Sequence, residues 1–192
     1  LARSFEIPAV VGLRNSTQII DENNEVILDG NRGEIIIKPD EATKTFYLQV
    51  QKIWHEHEAE LQHLNKLPSI TKDEYEIVLH ANIEVPEEVD SVILHGAEGV
   101  GLYRSEFLFL GGSEFPTEEA QYDAYSRVID SMAGKNVCIR TLDYGGEKIA
   151  PALNNRIENN PILGWRAVRF YMSEPTIFKT QMKAMLRASV HG

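Results

Sequence analysis

The sequence predicts an α/β fold with parallel strands, and three observations lead to this prediction. Between residues 75 and 190, short apolar runs alternate with longer amphipathic segments, which predicts strand and helix in turn. Glycine and proline separate many of these segments. Two apolar runs end in charged residues: Arg104 and Glu106, and Arg140 and Asp143. Consecutive strand–helix units imply parallel strands with right-handed crossovers, and ligands bind at the carboxyl edge of such a sheet.

Three strand–helix units are too few to close a (β/α)₈ barrel. If the fold is such a barrel, we expect the remaining units after Gly192. The chain also begins with Leu1 rather than methionine, directly in an apolar segment. We therefore expect it to be a piece of a longer protein.

The first 38 residues predict short strands and turns. Residues 25–28 and 34–37 contain apolar runs of strand length. The residues between them are rich in aspartate, asparagine and glycine, the composition of a tight turn, so the two runs predict a β-hairpin. We interpret this segment as the β-rich edge of a domain rather than as a domain of its own.

Residues 41–66 predict a long amphipathic helix that connects two domains. Its apolar stripe recurs at three- and four-residue steps: Phe46, Val50, Ile53, Trp54, His57, Leu61 and Leu64. Three histidines on this helix, His55, His57 and His63, lack acidic or cysteine partners at ligand spacing. We therefore do not predict a metal site there.

The second half of the chain predicts the strand–helix units in order. We expect strands over residues 75–82, 100–104 and 137–140. We expect helices over residues 86–94, 116–134, 164–172 and 174–190. Thr117 is the predicted cap of the second helix, with two acidic residues in its first turn. Cys138 lies inside the third apolar run and is interpreted as a core residue.

Composition and charge exclude several classes of function. The 192 residues are 25% charged and 43% apolar, as in ordinary globular proteins. A formal net charge of -10 argues against nucleic acid or an anionic membrane as the main partner. The single cysteine excludes an internal disulfide framework and is typical of the cytoplasm. No apolar run approaches membrane-spanning length.

Arginines at the predicted strand ends indicate an anion-binding pocket. A guanidinium group binds phosphate and carboxylate through planar, bidentate contacts. Arg104 and Arg140 end two predicted strands, so we expect a small, multiply anionic ligand there. Lys148 follows in the adjoining glycine-containing loop, and Arg166 belongs to a third basic segment. The alternative is an ordinary strand edge with surface ion pairs.

Five motifs in order give the chain a resemblance to a known family. They cover nearly the whole chain and are weakest in the helical connector. Together they resemble Enzyme I of the bacterial phosphoenolpyruvate (PEP)-dependent sugar phosphotransferase system. The motifs are residues 2–4 with 7–12, residues 99–109, residues 116–119, residues 140–143 with 145–148, and residues 160–161 with 164–167.

The resemblance implies a domain organisation and a reaction. Residues 1–38 would be the C-terminal tail of a swivelling phosphohistidine domain, residues 39–69 a linker helix, and residues 70–192 the N-terminal part of a PEP-binding (β/α)₈ barrel. The family transfers a phosphoryl group from PEP to an enzyme histidine and then to a histidine phosphocarrier protein. The resemblance further implies Mg²⁺ as cofactor, a homodimer and a cytoplasmic location.

The resemblance also implies roles for individual residues. Arg104 and Arg140 match the family's phosphate-binding arginines. The supporting residues would be two acids that hold these arginines and two more distant bases: Glu106, Asp143, Lys148 and Arg166. We expect the phosphorylated histidine before Leu1, and the metal ligands and a cysteine acid after Gly192. The chain itself would then contain no catalytic residue and no metal ligand, and would be inactive alone.

Three alternatives remain open from the sequence. The chain is also compatible with a PEP synthase, a pyruvate phosphate dikinase or the nitrogen-regulatory paralogue of Enzyme I. A different class of function is a non-catalytic interaction module with the linker helix as its docking surface. The third alternative is an α/β domain with surface arginines and no ligand. The sequence does not identify the sugars or the carrier served.

Overall fold

We describe the fold from a computed structural model of the chain. The structure describes residue 2 and residues 7–110, 114–144, 160 and 162–192. The chain divides into two compact units, Leu1–Leu67 and Pro68–Gly192. Each unit is described separately below.

The first unit contains a short helix and the predicted hairpin. Helix α1 spans Ser16–Ile19, and strands β1 (Val26–Asp29) and β2 (Glu34–Ile37) pair antiparallel. The Asp29 side chain accepts hydrogen bonds from the backbone N–H groups of Asn31 and Arg32, both at 3.0 Å. These local bonds form the tight turn, so the sequence prediction of a hairpin is confirmed.

Helix α2 spans Glu41–Leu64 and confirms the predicted long helix. Asp40 caps its first turn by accepting a hydrogen bond from the Thr43 backbone N–H at 2.8 Å. No residue of α2 is buried by the part of the chain that the structure describes. Its apolar stripe is therefore exposed within this chain. None of the described helices is both long enough and apolar enough to span a membrane.

Three strands in the described part of the second unit form a parallel sheet. Strands β3 (His80–Ile83), β4 (Gly99–Arg104) and β5 (Asn136–Arg140) lie side by side in chain order. Both strand pairs are parallel, as the sequence predicts. Each strand is followed by helical segments, which makes this unit a parallel α/β fold.

Strand β3 begins later than the sequence predicts. Residues 75–79 lie outside the sheet, and the side chain of Tyr75 is exposed. The reason is a competing pairing, because Ile70 and Glu76 form an antiparallel bridge and the Ile77 N–H donates to the Ser69 carbonyl at 2.7 Å. The predicted strand over residues 75–82 is therefore wrong in its first half.

The described residues of this unit include four α-helices. Helix α3 (Val89–Leu94) follows a 3₁₀ turn at Pro86–Glu88, and α4 spans Glu118–Ser131. Thr117 caps α4 by accepting a hydrogen bond from the Ala120 N–H at 3.2 Å. Helices α5 (Ala167–Ser173) and α6 (Pro175–Ala188) follow one another near the end of the chain. The main core of this unit consists of buried residues from the sheet and from α3, α4 and α6: Ile83, Val89, Val92, Val100, Tyr103, Tyr125, Val128, Ile129, Met132, Ala184 and Ala188.

Cys138 is exposed, so its interpretation as a core residue is wrong. Its neighbours Val137 and Ile139 pack against the main core. Because successive residues of a strand point to opposite faces of the sheet, Cys138 lies on the other face. The described residues leave the Cys138 side chain exposed there.

Candidate functional site

Arg104 and Arg140 are the last residues of β4 and β5, and they are paired with each other across the sheet. Paired positions of neighbouring strands lie on the same face. Both arginines therefore lie together at the carboxyl edge, which is the ligand-binding edge of parallel α/β sheets. Their side chains are 42% and 36% exposed, so both are accessible to a ligand.

Glu106 fixes the side chain of Arg140. It lies in the 3₁₀ turn Ser105–Phe109 that follows β4, and its side chain is only 7% exposed. The Nε and Nη2 groups of Arg140 donate to Glu106 Oε1 at 2.9 and 2.8 Å. The backbone N–H of Asp143 donates to the same oxygen at 3.0 Å. Charge-assisted bonds of this kind are strong, so Glu106 orients both the guanidinium group and the chain after β5.

Asp143 links Arg166 to Arg140. The Nε and Nη2 groups of Arg166 lie 3.0 and 2.9 Å from Asp143 Oδ1. The other carboxylate oxygen, Oδ2, lies 3.7 Å from Nη1 of Arg140. Arg166 is therefore nearer to Arg140 than the sequence analysis placed it, because both arginines contact the same carboxylate. Arg166 directly precedes α5, and its backbone is extended.

Glu84 is a site residue that the sequence analysis missed. It directly follows β3, and its Oε1 accepts a hydrogen bond from Nη1 of Arg104 at 2.9 Å. The available signal was its position, since it is a carboxylate at the end of a third parallel strand. Among the described residues, the cluster thus combines three arginines with three carboxylates: Arg104, Arg140, Arg166, Glu84, Glu106 and Asp143.

A second missed residue is Gln181 of α6, which lies behind the strand ends. Its side chain is completely buried. It forms hydrogen bonds with Ser105, Tyr125, Leu142 and Tyr171. A buried glutamine within an amphipathic helical pattern gives no distinct signal in the sequence, because its partners are distant along the chain.

The tyrosines of this buried region remain protonated. Burial raises the pKa of Tyr125 to about 12, and it raises the pKa of Tyr171 well above its ordinary value. Both hydroxyl groups therefore act as hydrogen-bond donors at neutral pH. Tyr171 donates to Gln181, and Tyr125 donates to Gln121 at 3.2 Å.

The predicted supporting residue Lys148 lies outside the described residues, as do the neighbouring glycines Gly145 and Gly146. Arg104, Arg140, Glu106, Asp143 and Arg166 are all described, and the structure brings these five together.

The described residues do not form a magnesium centre. No group of three or more histidine, cysteine, aspartate or glutamate side chains among them could hold a metal ion. Glu106 Oε2 is buried without a hydrogen-bond partner in the described part of the chain. It offers a single anionic oxygen, whereas Mg²⁺ requires an octahedral set of oxygen ligands. The arginines already form hydrogen bonds with the other oxygen of Glu106 and with Oδ1 of Asp143.

The fold is thus of the parallel α/β class, with an arginine–carboxylate cluster at its carboxyl edge. Comparison with protein families gives a more specific assignment. Residues 58–192 match the family described as PEP-utilising enzyme, PEP-binding domain, and residues 1–33 match PEP-utilising enzyme, mobile domain. The chain therefore belongs to the PEP-utilising enzymes.

Similar curated proteins share the name phosphoenolpyruvate-protein phosphotransferase. The chain is 43% identical to the protein of Staphylococcus carnosus, 44% to that of Listeria monocytogenes and 45% to that of Bacillus subtilis. Each comparison covers all 192 residues of this chain and 34% of the relative. The chain thus spans about a third of the length of these relatives. The resemblance to Enzyme I that the motifs indicated is confirmed.

Proposed function

We propose that this chain supplies the phosphate-binding arginines of a phosphoenolpyruvate-protein phosphotransferase, the Enzyme I of a sugar phosphotransferase system. Such an enzyme transfers a phosphoryl group from PEP to its own histidine and then to a histidine phosphocarrier protein. The main support is the pairing of Arg104 with Arg140 at the carboxyl edge of the sheet, in a chain 42–45% identical to proteins of that name.

The geometry suits phosphoryl transfer. Protein groups accelerate this reaction mainly by positioning the phosphoryl group and stabilising the charge on its oxygens. Arg104 contacts Glu84 through Nη1, so its Nε and Nη2 groups can donate to an incoming phosphate. Nη1 of Arg140 lies 3.7 Å from Asp143, beyond ordinary hydrogen-bond length, so Nη1 can also donate to a ligand. Two guanidinium groups from adjacent strands would then bind one phosphate together.

The carboxylate of Glu106 holds Arg140 in a fixed position before the substrate binds. Glu106 orients Arg140 through two hydrogen bonds to one oxygen. Asp143 contacts both Arg140 and Arg166, so Arg166 is a third cation near the proposed phosphate position. Fixed donors of this kind require little reorganisation when charge develops in the transition state. We propose that Arg166 and Lys148 support the binding of the anionic substrate.

Mg²⁺ belongs to the proposal only through the family resemblance. The described residues do not supply its ligand set, and no step above depends on it. We propose that the complete enzyme uses Mg²⁺, and removal of divalent cations with a chelator tests this directly. We expect the chelator to abolish phosphorylation and added Mg²⁺ to restore it. Full activity in the presence of the chelator would contradict this part of the proposal.

The domain organisation is also part of the proposal. Residues 1–38 would complete the mobile phosphohistidine domain, residues 39–69 would form the linker, and residues 70–192 would begin the PEP-binding (β/α)₈ barrel. The mobile-domain match at residues 1–33 and the PEP-binding match at residues 58–192 support this division. We further propose a cytoplasmic homodimer, as the resemblance implies.

The reaction is tested with the full-length protein that contains this chain. We would incubate it with PEP and Mg²⁺ and look for an acid-labile phosphohistidine that passes to the histidine phosphocarrier protein. Label that transfers to the carrier is the expected result. Label that stays on the enzyme unless pyruvate, AMP or another acceptor is supplied would instead indicate a synthase or dikinase. Complete absence of label would support the non-catalytic alternative.

A further inference from the structure

Gln181 makes a full set of hydrogen bonds inside the second unit. Its Nε2 group donates to the hydroxyl oxygens of Ser105 and Tyr125, both at 3.0 Å. Its Oε1 accepts from the backbone N–H of Leu142 at 3.0 Å and from the hydroxyl group of Tyr171. A primary amide has two donor hydrogens and one oxygen with two lone pairs. Every hydrogen-bonding position of this buried side chain is therefore used.

These bonds connect α6 to the chain that directly follows both arginine-bearing strands. Ser105 is the residue after Arg104, and its hydroxyl group donates to the carbonyl oxygen of Arg140 at 2.7 Å. Leu142 comes two residues after Arg140 and one before Asp143. One amide group therefore joins the end of β4 to the end of β5, at the level where Arg104 and Arg140 are paired.

We infer that Gln181 is a positioning residue for phosphoryl transfer from PEP, and this inference rests on the proposed function. Gln181 is buried and acts through Ser105 and the backbone at Leu142. It fixes the spacing of the two strand ends, and so the spacing of the Arg104 and Arg140 guanidinium groups. Asp143 follows Leu142 directly, so the same bond also fixes the carboxylate that Arg166 contacts.

The polar character of Gln181 is what makes this role specific. An apolar side chain of similar volume would fill the same space but would place no directional constraint on the strand ends. Hydrogen bonds in a buried, low-dielectric region are strong and directional. The surrounding tyrosines keep their protons, since burial raises the pKa of Tyr125 to about 12. The network therefore keeps one donor–acceptor arrangement across the physiological pH range.

Gln121 of α4 provides a matched control. It is buried to the same degree as Gln181, with 1% exposure against 0%. Its amide donates to the Pro116 carbonyl at 3.0 Å and accepts from the Tyr125 hydroxyl group at 3.2 Å. Gln121 shares its partner Tyr125 with Gln181 but makes no hydrogen bond to the ends of β4 or β5. Replacing each glutamine by methionine removes a buried amide while nearly preserving volume.

The experiment measures steady-state phosphorylation of the carrier protein by the full-length enzyme in three variants. For Gln181→Met we expect kcat to fall roughly tenfold to a hundredfold, with KM for PEP within about threefold, because misplaced groups of unchanged charge lose mainly transition-state stabilisation. For Gln121→Met we expect kcat within about twofold of wild type despite a lowered Tm. Ser105→Ala leaves a smaller gap and should reproduce the selective fall in kcat. Hydrogen exchange of the backbone amides of residues 140–144 should be faster in Gln181→Met and Ser105→Ala but not in Gln121→Met.

The outcomes separate the inference from the proposed function. A wild-type enzyme that PEP does not label would overturn the proposed function and this inference with it. A labelled wild type in which Gln181→Met and Gln121→Met lose kcat equally would overturn the inference alone. If Gln181→Met fails to fold, the Ser105→Ala variant provides the test. An unchanged kcat in Ser105→Ala would then overturn the inference.

Discussion

The ends of β4 and β5 present the same side chain in two different environments. Arg140 donates two hydrogen bonds to a nearly buried carboxylate, Glu106, and its backbone carbonyl accepts from Ser105. Arg104 contacts the more exposed Glu84 through one nitrogen. If both arginines bind the phosphate as proposed, Arg140 is already fixed before the ligand arrives, and Arg104 retains freedom to adjust. Mutations of the two sites should therefore differ more in stability than in activity.

The largest effect is expected for Arg140→Ala, which should impair both activity and stability. Loss of one fixed donor costs on the order of 2–4 kcal/mol of transition-state stabilisation. The free energy of unfolding should also fall by roughly 2–3 kcal/mol, because Glu106 loses its charged partner. This loss is smaller than for a fully buried pair, because the Arg140 side chain is 36% exposed. Enzyme kinetics and urea unfolding measure the two losses. Normal phosphorylation in this variant would remove Arg140 from the site.

Arg104→Ala should impair activity with little change in stability. We expect the same order of kinetic loss, about 2–4 kcal/mol, because the second proposed donor to the phosphate is removed. The free energy of unfolding should change by less than about 1 kcal/mol, because the pair with Glu84 is only partly buried and involves a single nitrogen of Arg104. Equal destabilisation by Arg104→Ala and Arg140→Ala in parallel urea titrations would contradict the proposed difference between the two strand ends.

Replacing each carboxylate by an amide tests the same difference between the ends of β4 and β5. Glu106→Gln should lower the free energy of unfolding by roughly 1–3 kcal/mol, because charge-assisted bonds to Arg140 are weakened in a buried position. Glu84→Gln should change it by at most about 1 kcal/mol. Both variants keep side-chain volume, so each serves as a control for the other. A larger effect at Glu84 would reverse the assignment of the fixed and adjustable arginines.

The smallest expected effect is a loss of stability at alkaline pH, caused by titration of Tyr125 in the hydrogen-bond network of Gln181. Tyr125 has its pKa raised from 10.0 to about 12 by burial, so the folded protein retains a proton that the unfolded chain releases. The free energy of unfolding should be insensitive to this group below its unfolded pKa and should fall as pH rises toward about 12. Tyr125→Phe should reduce this slope in unfolding titrations between pH 10.0 and about pH 12. An unchanged slope would show that Tyr125 is not the group responsible.

Local signals in the sequence were sufficient for several elements. The hairpin turn depends on Asp29 and its immediate neighbours, and the starts of α2 and α4 depend on the caps Asp40 and Thr117. These interactions join residues at most three positions apart, so the sequence contains both partners in one short window. The boundary of β3 was not predictable in this way. Pairing between Ile70 and Glu76 competes with the sheet, and that competition depends on the folded surroundings.

The candidate site likewise has features that the sequence predicts and features that depend on the folded structure. The sequence by itself determined that Arg104 and Arg140 end parallel strands, because alternation of strand and helix fixes the direction of each strand and the edge at which it ends. Only the tertiary structure decided which carboxylate contacts each arginine, that Asp143 joins Arg140 to Arg166, and that Cys138 faces the exposed side of the sheet. It also decided that Gln181 joins the two strand ends, across 76 residues from Ser105. Such contacts depend on how helices and strands pack after the chain has folded, and hydrophobic periodicity does not specify which polar partners then meet.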